Sequence, residues 1–341
     1  MLQTKISEMF GIEYPVISAG MAAVGLSALA AAVSEAGGLG TIGLAGFTPE
    51  GIHNEISAAR ARTGKPLAAN LIVPFMRADQ IRAVAASRLA AATFFWGDPG
   101  EHADAIALMH EGGMRVLWQC GSVQEACNAK EVGVDAIIAQ GCEAGGHVRG
   151  EVSTFVFIPE VRDAIGDTPL IAAGGIGDGR GLAAALALGA DGVCIGTRFL
   201  GSVEAAAHPK YKQRVIEAVA TDTICGTLFD GEWPDAPLRT LRTKVVEEWE
   251  RAGRPPKGKR PGEGQLIGLS HRTDIEFGPE FFKYGGIPPT DFVEGDIESF
   301  PLAAGESAGL VRELLPAGEI VRQIATQARD LIEKRLTPLS R

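Results

Sequence analysis

The sequence predicts a (β/α)8 TIM barrel carrying a C-terminal inserted lid segment. Three observations lead there. Short apolar, β-branched runs alternate with Ala-rich helical stretches over the first two-thirds of the 341 residues. The runs recur at intervals of roughly 22 to 33 residues, the span of one strand–helix unit. They are apolar on both faces rather than alternating, as buried parallel strands are. The length suits one barrel with an insertion as well as it suits two average domains.

The eight candidate strands are Tyr14–Ala19, Leu39–Leu44, Leu67–Val73, Ala92–Trp96, Arg115–Cys120, Ala136–Ala139, Pro169–Ala173 and Gly192–Gly196. The helices between them carry start and stop signals. Ser27 precedes Ala28–Ala36, and Gly37-Gly38 stops it. Thr48-Pro49-Glu50 opens the next with proline at its first position. Ser122 precedes Val123–Val132, and Asp178 opens Gly181–Leu188; Gly133 and Gly189 end them. Eight units in a row favour closure. A doubly wound open sheet is the alternative, weakened because the first βα turn lacks Gly-x-Gly-x-x-Gly.

From Cys225 to Pro301 the beat stops. Helical Leu238–Glu250 is followed by a basic Pro/Gly-rich run, Arg251 to Gly262, read as a solvated loop, and then by the aromatic segment Phe277–Tyr284. Ala308–Arg335 reads as an amphipathic closing helix. The expected organisation is a barrel from 1–224 and 302–341, with 225–301 as a lid on the substrate side.

Composition narrows the function. A net charge of −10 argues against general nucleic-acid binding, which needs basic faces. It leaves room for a phosphate-bearing ligand, because a few backbone N–H groups can hold one phosphate. The N-terminus has no signal-peptide core, and no apolar run is long enough to span a bilayer. Five cysteines without a C-x-x-C pair argue against a disulfide framework or a zinc site, and fit a reducing cytoplasm. No His, Cys, Asp or Glu spacing suggests a metal.

In such barrels the active site stands at the C-terminal strand ends. Strand seven ends in Ala172-Ala-Gly174-Gly175-Ile-Gly177, and strand eight in Cys194-Ile195-Gly196-Thr197-Arg198. Glycines let a backbone approach a ligand closely, and these two loops commonly hold a phosphate. Strand six leads into Gly141-Cys-Glu-Ala-Gly145-Gly-His147, placing a histidine at the mouth to exchange protons. The other five histidines lack such surroundings. Asn70 and Gln140, at strand ends, can bond the edge of a planar ring. At the end of strand one, Ala19-Gly20-Met21 leaves room for a flat ring that the methionine can pack. Glu143 either orients the histidine loop or is solvated. Cys142 has no base beside it.

These blocks resemble the nitronate monooxygenase family, formerly 2-nitropropane dioxygenases, FMN-containing barrel enzymes. The matching stretches are Tyr14–Met21, Ala69-Asn70-Leu71, Gln140–Gly150, Ile171–Leu200 and Ala304–Leu310. The resemblance implies that Asn70 and Gln140 contact the flavin ring and that Gly145 lies against it. It implies that Gly174, Gly175, Cys194, Ile195, Gly196 and Thr197 hold the FMN phosphate. His147 would remove the α-proton of a neutral nitroalkane, with O2 then giving a carbonyl compound and nitrite. Flavin-dependent enoyl reductases and NADH:quinone reductases share the same blocks, so an NAD(P)H-dependent reductase is a second expectation; a non-redox barrel binding a phosphorylated ligand is a third. Ser18-Ala19, Val148-Arg149 and the excursion from Arg239 to Pro301 depart from the family pattern on the substrate side. The partners expected are a small-molecule substrate with O2 or NAD(P)H, neither nucleic acid nor membrane, and the reading is compatible with a homo-oligomer.

Overall fold

The computed structural model describes residues 2–340. Eight parallel strands form one sheet: β1 (Val16–Ser18), β2 (Gly40–Gly43), β3 (Leu67–Ile72), β4 (Ala91–Phe95), β5 (Arg115–Cys120), β6 (Ala136–Gln140), β8 (Leu170–Ala173) and β9 (Gly192–Ile195). Between β6 and β8 lies the two-residue β7 (Gly146–His147), which belongs to another sheet. The order is β1-β9-β8-β6-β5-β4-β3-β2, and every neighbouring pair is parallel.

The two ends of that order meet. Ile17 bridges Leu39 in parallel, Ser18 N–H donates to the Leu39 carbonyl, and Leu39 N–H donates to that of Val16. Fully buried Ser18 adds a side-chain link by accepting from Thr41 N–H at 3.0 Å. The serine that departs from the family pattern therefore helps close the barrel. The sequence expectation of a (β/α)8 barrel holds.

The barrel interior is filled by small and branched side chains, among them Ile17, Leu39, Ala68, Leu117, Ile138 and Ile171. Its N-terminal face is plugged by Ile6 and Phe10 from a helix, Lys5–Phe10, which the strand–helix beat did not signal. Thr4 starts that helix: its hydroxyl accepts from Ser7 N–H at 3.2 Å, while the Ser7 hydroxyl accepts from Thr4 N–H. The plug leaves the C-terminal face as the open mouth.

Outside the strands, capping follows the sequence signals at Thr48, Ser122 and Asp178, each of which accepts from a first-turn N–H. Ser27 is the exception. The helix Ser27–Glu35 begins on it, and its N–H donates to the buried Glu55 carboxylate. A tertiary carboxylate satisfies that end, so no local cap is needed. Gly40 lets this helix lie directly on β2, since a Cβ there would stand 1.8 Å from the Ala30 carbonyl oxygen.

Beyond β9 the expectation of helix over Leu238–Glu250 is corrected. Leu238–Leu241 is a strand, β11, and the helix is Lys244–Arg251. The residues of β11 are needed for pairing on both sides: β10 (Thr223–Gly226) on one edge and β7 on the other, both antiparallel. A second small sheet has β12 (Leu266–Ser270) between β13 (Glu280–Phe282) and β14 (Val293–Gly295). The other cations of the basic run are exposed, but Arg260 is buried, pairs with Asp230 and Glu263, and lies 4.3 Å from the Tyr284 ring centroid. A solvated loop is thus wrong for that residue. The closing helix is Ala317–Leu331, shorter than expected, because Glu306–Leu310 forms a 3-10 turn and Pro316 caps the true start. Among the described residues no helix is long and apolar enough to cross a membrane.

Gly40→Ala should lower stability by about 1–3 kcal/mol, the usual cost of overpacking against backbone. Gly64→Ala, with nothing within 4 Å of its Cβ position, should shift it by less than about 0.5 kcal/mol. Denaturant unfolding of both variants checks this; equal midpoints would show that the helix moves off β2 without cost.

Candidate active site

A cleft opens at the C-terminal ends of the strands, and all thirteen residues expected from the sequence line it: Ala19, Gly20, Met21, Asn70, Gln140, Gly145, His147, Gly174, Gly175, Cys194, Ile195, Gly196 and Thr197. Strand order explains the convergence. β6, β8 and β9 are neighbours, so the histidine loop and the two glycine loops stand side by side.

The histidine loop is held from within. The Gln140 amide donates to the His147 carbonyl at 3.1 Å, and its oxygen lies 3.4 Å from the Arg149 N–H that donates to it. Glu143 orients the loop rather than facing solvent. Its carboxylate accepts from Thr154 N–H (2.9 Å) and from the Thr154 hydroxyl (2.8 Å). Gly145 must lack a side chain, because a Cβ would meet Gly305 N at 2.2 Å. That close contact seats the 304–310 segment beside the loop, and Gly305 N–H donates to the Thr197 hydroxyl oxygen at 2.9 Å. The Thr197 hydroxyl proton remains available to a ligand.

Asn70 donates to the Thr93 carbonyl at 3.3 Å. Gly20 packs on its side chain, where a Cβ would come within 2.1 Å. Gly174 and Gly175 both have positive φ, 96° and 70°, a pair of conformations that glycine adopts freely. At Gly175 and Gly196 a Cβ would meet nothing closer than 3.6 Å, so both leave open space on the pocket side of the loops. A flat ring and a phosphate fit this arrangement: small residues at the end of β1, amides at the ends of β3 and β6, and side-chain-free loops after β8 and β9.

The residues that sequence reasoning missed are aromatic. The His147 ring lies 4.2 Å from that of Trp233, centroid to centroid, and 6.1 Å from that of Trp96. Trp233 also packs edge-on against Trp96 (4.6 Å) and Phe75 (5.0 Å). Trp96, at the end of β4, has a φ of 71°, rare for a bulky residue and typical of functional sites. Arg149 lies over its ring at 5.1 Å and pairs with Glu125 at 2.5 Å. The strand-end rule applied to β4 would have found Trp96. Nothing local marks Trp233, which arrives from the segment between β10 and β11.

That environment sets the base. Burial pushes the His147 imidazole down to about 4, against a weaker opposing effect of the Ala236 and Pro237 carbonyls. Nδ1 is buried and makes no hydrogen bond. The ring is therefore neutral at pH 7 and able to accept a proton. Burial raises the Cys142 thiol and pushes that of Cys194 up to about 12, so neither is a thiolate at neutral pH.

Known proteins resemble this chain over most of its length. The family model described as nitronate monooxygenase matches residues 3–99 and 75–327. The chain belongs to the nitronate monooxygenase family. A probable nitronate monooxygenase of Staphylococcus saprophyticus is 34% identical over 72% of this chain and 81% of its own. A Mycobacterium tuberculosis protein named (3aS,4S,5R,7aS)-5-hydroxy-7a-methyl-1-oxo-octahydro-1H-indene-4-carboxyl-CoA dehydrogenase is 33% identical over 96% of both chains. Among solved structures, FabK from Thermotoga maritima superposes with a TM-score of 0.79 at 34% identity over 99% of this chain and 100% of its own. Nitroalkane oxidase from Streptomyces ansochromogenes gives 0.76 at 26% identity over 98% of this chain and 99% of its own. This member of the nitronate monooxygenase family is an enzyme, an oxidoreductase, and flavin dependence is typical of its relatives.

A depressed histidine has a signed consequence. Between pH 6.5 and about 4 the unfolded chain binds a proton at His147 that the folded chain does not. Stability from this group is present above pH 6.5 and lost as pH falls toward 4, by up to about 3 kcal/mol. Unfolding of wild type and His147→Asn at pH 7 and pH 4.5 should show a steeper acid loss for the wild type. Parallel losses would mean the imidazole is not buried neutral.

Proposed function

We propose that the chain is an FMN-dependent oxidoreductase that oxidises nitroalkanes and their nitronates with O2 to a carbonyl compound and nitrite. The observation that carries this reading is His147: an imidazole with Nδ1 buried and unbonded, lining a cleft that also holds two glycine loops, two strand-end amides and an aromatic wall. Ala19, Gly20, Met21, Asn70, Gln140 and Gly145 would flank the ring system. Gly174, Gly175, Cys194, Ile195, Gly196 and Thr197 would receive the phosphate. FMN, when bound, supplies the electron-accepting chemistry.

The remaining work falls to the chain itself. His147 accepts the α-proton of a neutral nitroalkane. Carbon acids of this kind lose a proton slowly in water, so a positioned base matters. Trp233, Phe75 and Phe95 make an apolar wall that excludes water from the proton-transfer site. The segment 225–301, which carries Trp233, acts as the lid of the site. A nitronate, already deprotonated, needs only the pocket and the flavin.

One observation favours a second reading, redox chemistry on an acyl thioester. The Mycobacterium tuberculosis dehydrogenase, whose name carries a carboxyl-CoA, is 33% identical over 96% of the chain, against 26% over 98% for the nitroalkane oxidase. In that reading His147 would handle a proton next to a thioester carbonyl instead of a nitro group.

Two measurements separate the readings. Oxygen uptake with alkyl nitronates, without NAD(P)H, is expected under the first; none across several nitronates would sink it. Rapid anaerobic bleaching of the flavin by NADPH, NADH or a saturated acyl-CoA would support the second instead. His147→Asn should lower turnover of neutral nitroalkanes by about 10²–10⁴-fold while sparing nitronates; equal loss on both would remove the histidine as proton acceptor.

A further inference from the structure

A second cavity lies behind the active-site cleft, and the two share a wall. Leu238 lines both. It is also the residue of β11 in register with His147, so one strand separates the catalytic base from the second cavity. Thr240 stands two residues on, on the same face of the strand, and lines that cavity too.

The lining has a consistent chemistry. Trp249, Phe229, Pro255 and Pro256 provide flat apolar surface. Trp249 is fixed by its indole N–H, which donates to the Pro255 carbonyl at 2.9 Å. Arg254 and Lys257 stand at the rim with side chains more than half exposed. They come from the basic run, which holds five cations and no acid between Arg251 and Gly262 in a chain of net charge −10. Positive charge concentrated on an acidic protein steers anions to one place.

The acids nearby are accounted for. Asp230, the carboxylate in the lining, is held by buried Arg260 at 2.8 Å, with Lys257 at 3.5 Å. Glu263 also pairs with Arg260, and Glu250 with Arg254 and Arg242. Lys257 thus has only long contacts, with the shared Asp230 carboxylate at 3.5 Å and with the Asp230 carbonyl, to which it donates at 3.4 Å. A second observation comes from Thr240, which also lines the cavity. Thr240 is 1% exposed, and its hydroxyl has no hydrogen-bond partner. A buried hydroxyl left unpaired is costly, and a polar group brought to it would remove that cost.

We propose that this cavity binds the adenine nucleotide of a substrate or cosubstrate of the enzyme. The base would stack on the Trp249 face, displacing the Arg254 side chain that now lies 5.6 Å from the ring. The phosphates would take Arg254 and Lys257, and a polar group would reach the Thr240 hydroxyl. The proposal rests on the second reading of the His147 cleft, because nitroalkane oxidation by O2 has no nucleotide-bearing reactant. The shared chemistry has two sources, the adenine nucleotide of a coenzyme A thioester and that of a nicotinamide dinucleotide.

The probe is ADP, which carries the shared portion alone, titrated into the holoenzyme by calorimetry. Binding is expected, weakened at least tenfold in Arg254→Glu/Lys257→Glu and several-fold in Thr240→Val. The two charge reversals are on exposed side chains, and thermal unfolding checks that the fold survives. Arg254→Met/Lys257→Met, which removes charge without adding repulsion, should weaken ADP by a smaller factor in the same direction. Competition then assigns the source: ADP should displace either coenzyme A or NADPH. No ADP binding at millimolar concentration, binding indifferent to these substitutions, or no competition with either molecule would overturn the proposal. Because ADP binding is read without turnover, a failure of that second reading would leave this result intact and be seen separately in the anaerobic bleaching assay.

Discussion

The site depends on one backbone pairing. Gly146 and His147 form a two-residue strand against Arg239 and Leu238, and Val148 N–H extends it to the Pro237 carbonyl. A glycine-rich loop left alone would sample many conformations and lose that freedom on ordering. Here β11 supplies the ordering. Arg239 reinforces it by donating to the Cys142 carbonyl at 2.9 Å and pairing with Glu306 at 3.4 Å. The same arginine ties together the histidine loop, β11 and the 304–310 segment. Removing its side chain would leave the carbonyl of half-buried Cys142 without this donor and three elements uncoupled.

The pairing also sets the electrostatics. β11 and the turn before it bring Trp233 onto the imidazole. The barrel's own loops would leave His147 at an open mouth with an ordinary affinity for protons. The covering segment removes water from one side and pushes the ring toward its neutral form. Positioning and tuning of the base therefore share one cause, the docking of the segment between β10 and β11. Arg149, a cation near the site, would act in the same direction, but it is matched by Glu125 and occupied by the Trp96 face, so burial is the main cause.

The barrel was legible because its signals are local and repeated. Strands buried on both faces read as continuous apolar runs, and all eight appear within a few residues of their expected bounds. Glycines at the ends of strands seven and eight could be assigned to a site because the barrel rule converts order along the chain into position around a mouth. The errors came where a tertiary partner outweighs a local preference. Leu238–Leu241 carries no strong strand pattern and becomes a strand because β10 and β7 flank it. Arg260 sits in a run that looks solvated, yet Asp230, Glu263 and Tyr284 bury it. Ser27 looks like a cap, yet Glu55 does that work from another helix.

By itself the sequence determined the eight-stranded alternation, the two glycine loops and the placing of Asn70, Gln140 and His147 at strand ends, since each follows from period, glycine content and strand order. Only the tertiary structure decided what surrounds the histidine. Trp96 is available from the strand-end rule, but Trp233, Arg239 and the cavity shared through Leu238 come from a segment whose path over the barrel no short-range pattern encodes. The physical reason is range. Strand and helix signals act between residues a few positions apart, whereas the pairing of Leu238 with His147 spans a stretch of chain in which packing and unpaired backbone groups, not local propensity, choose the partner.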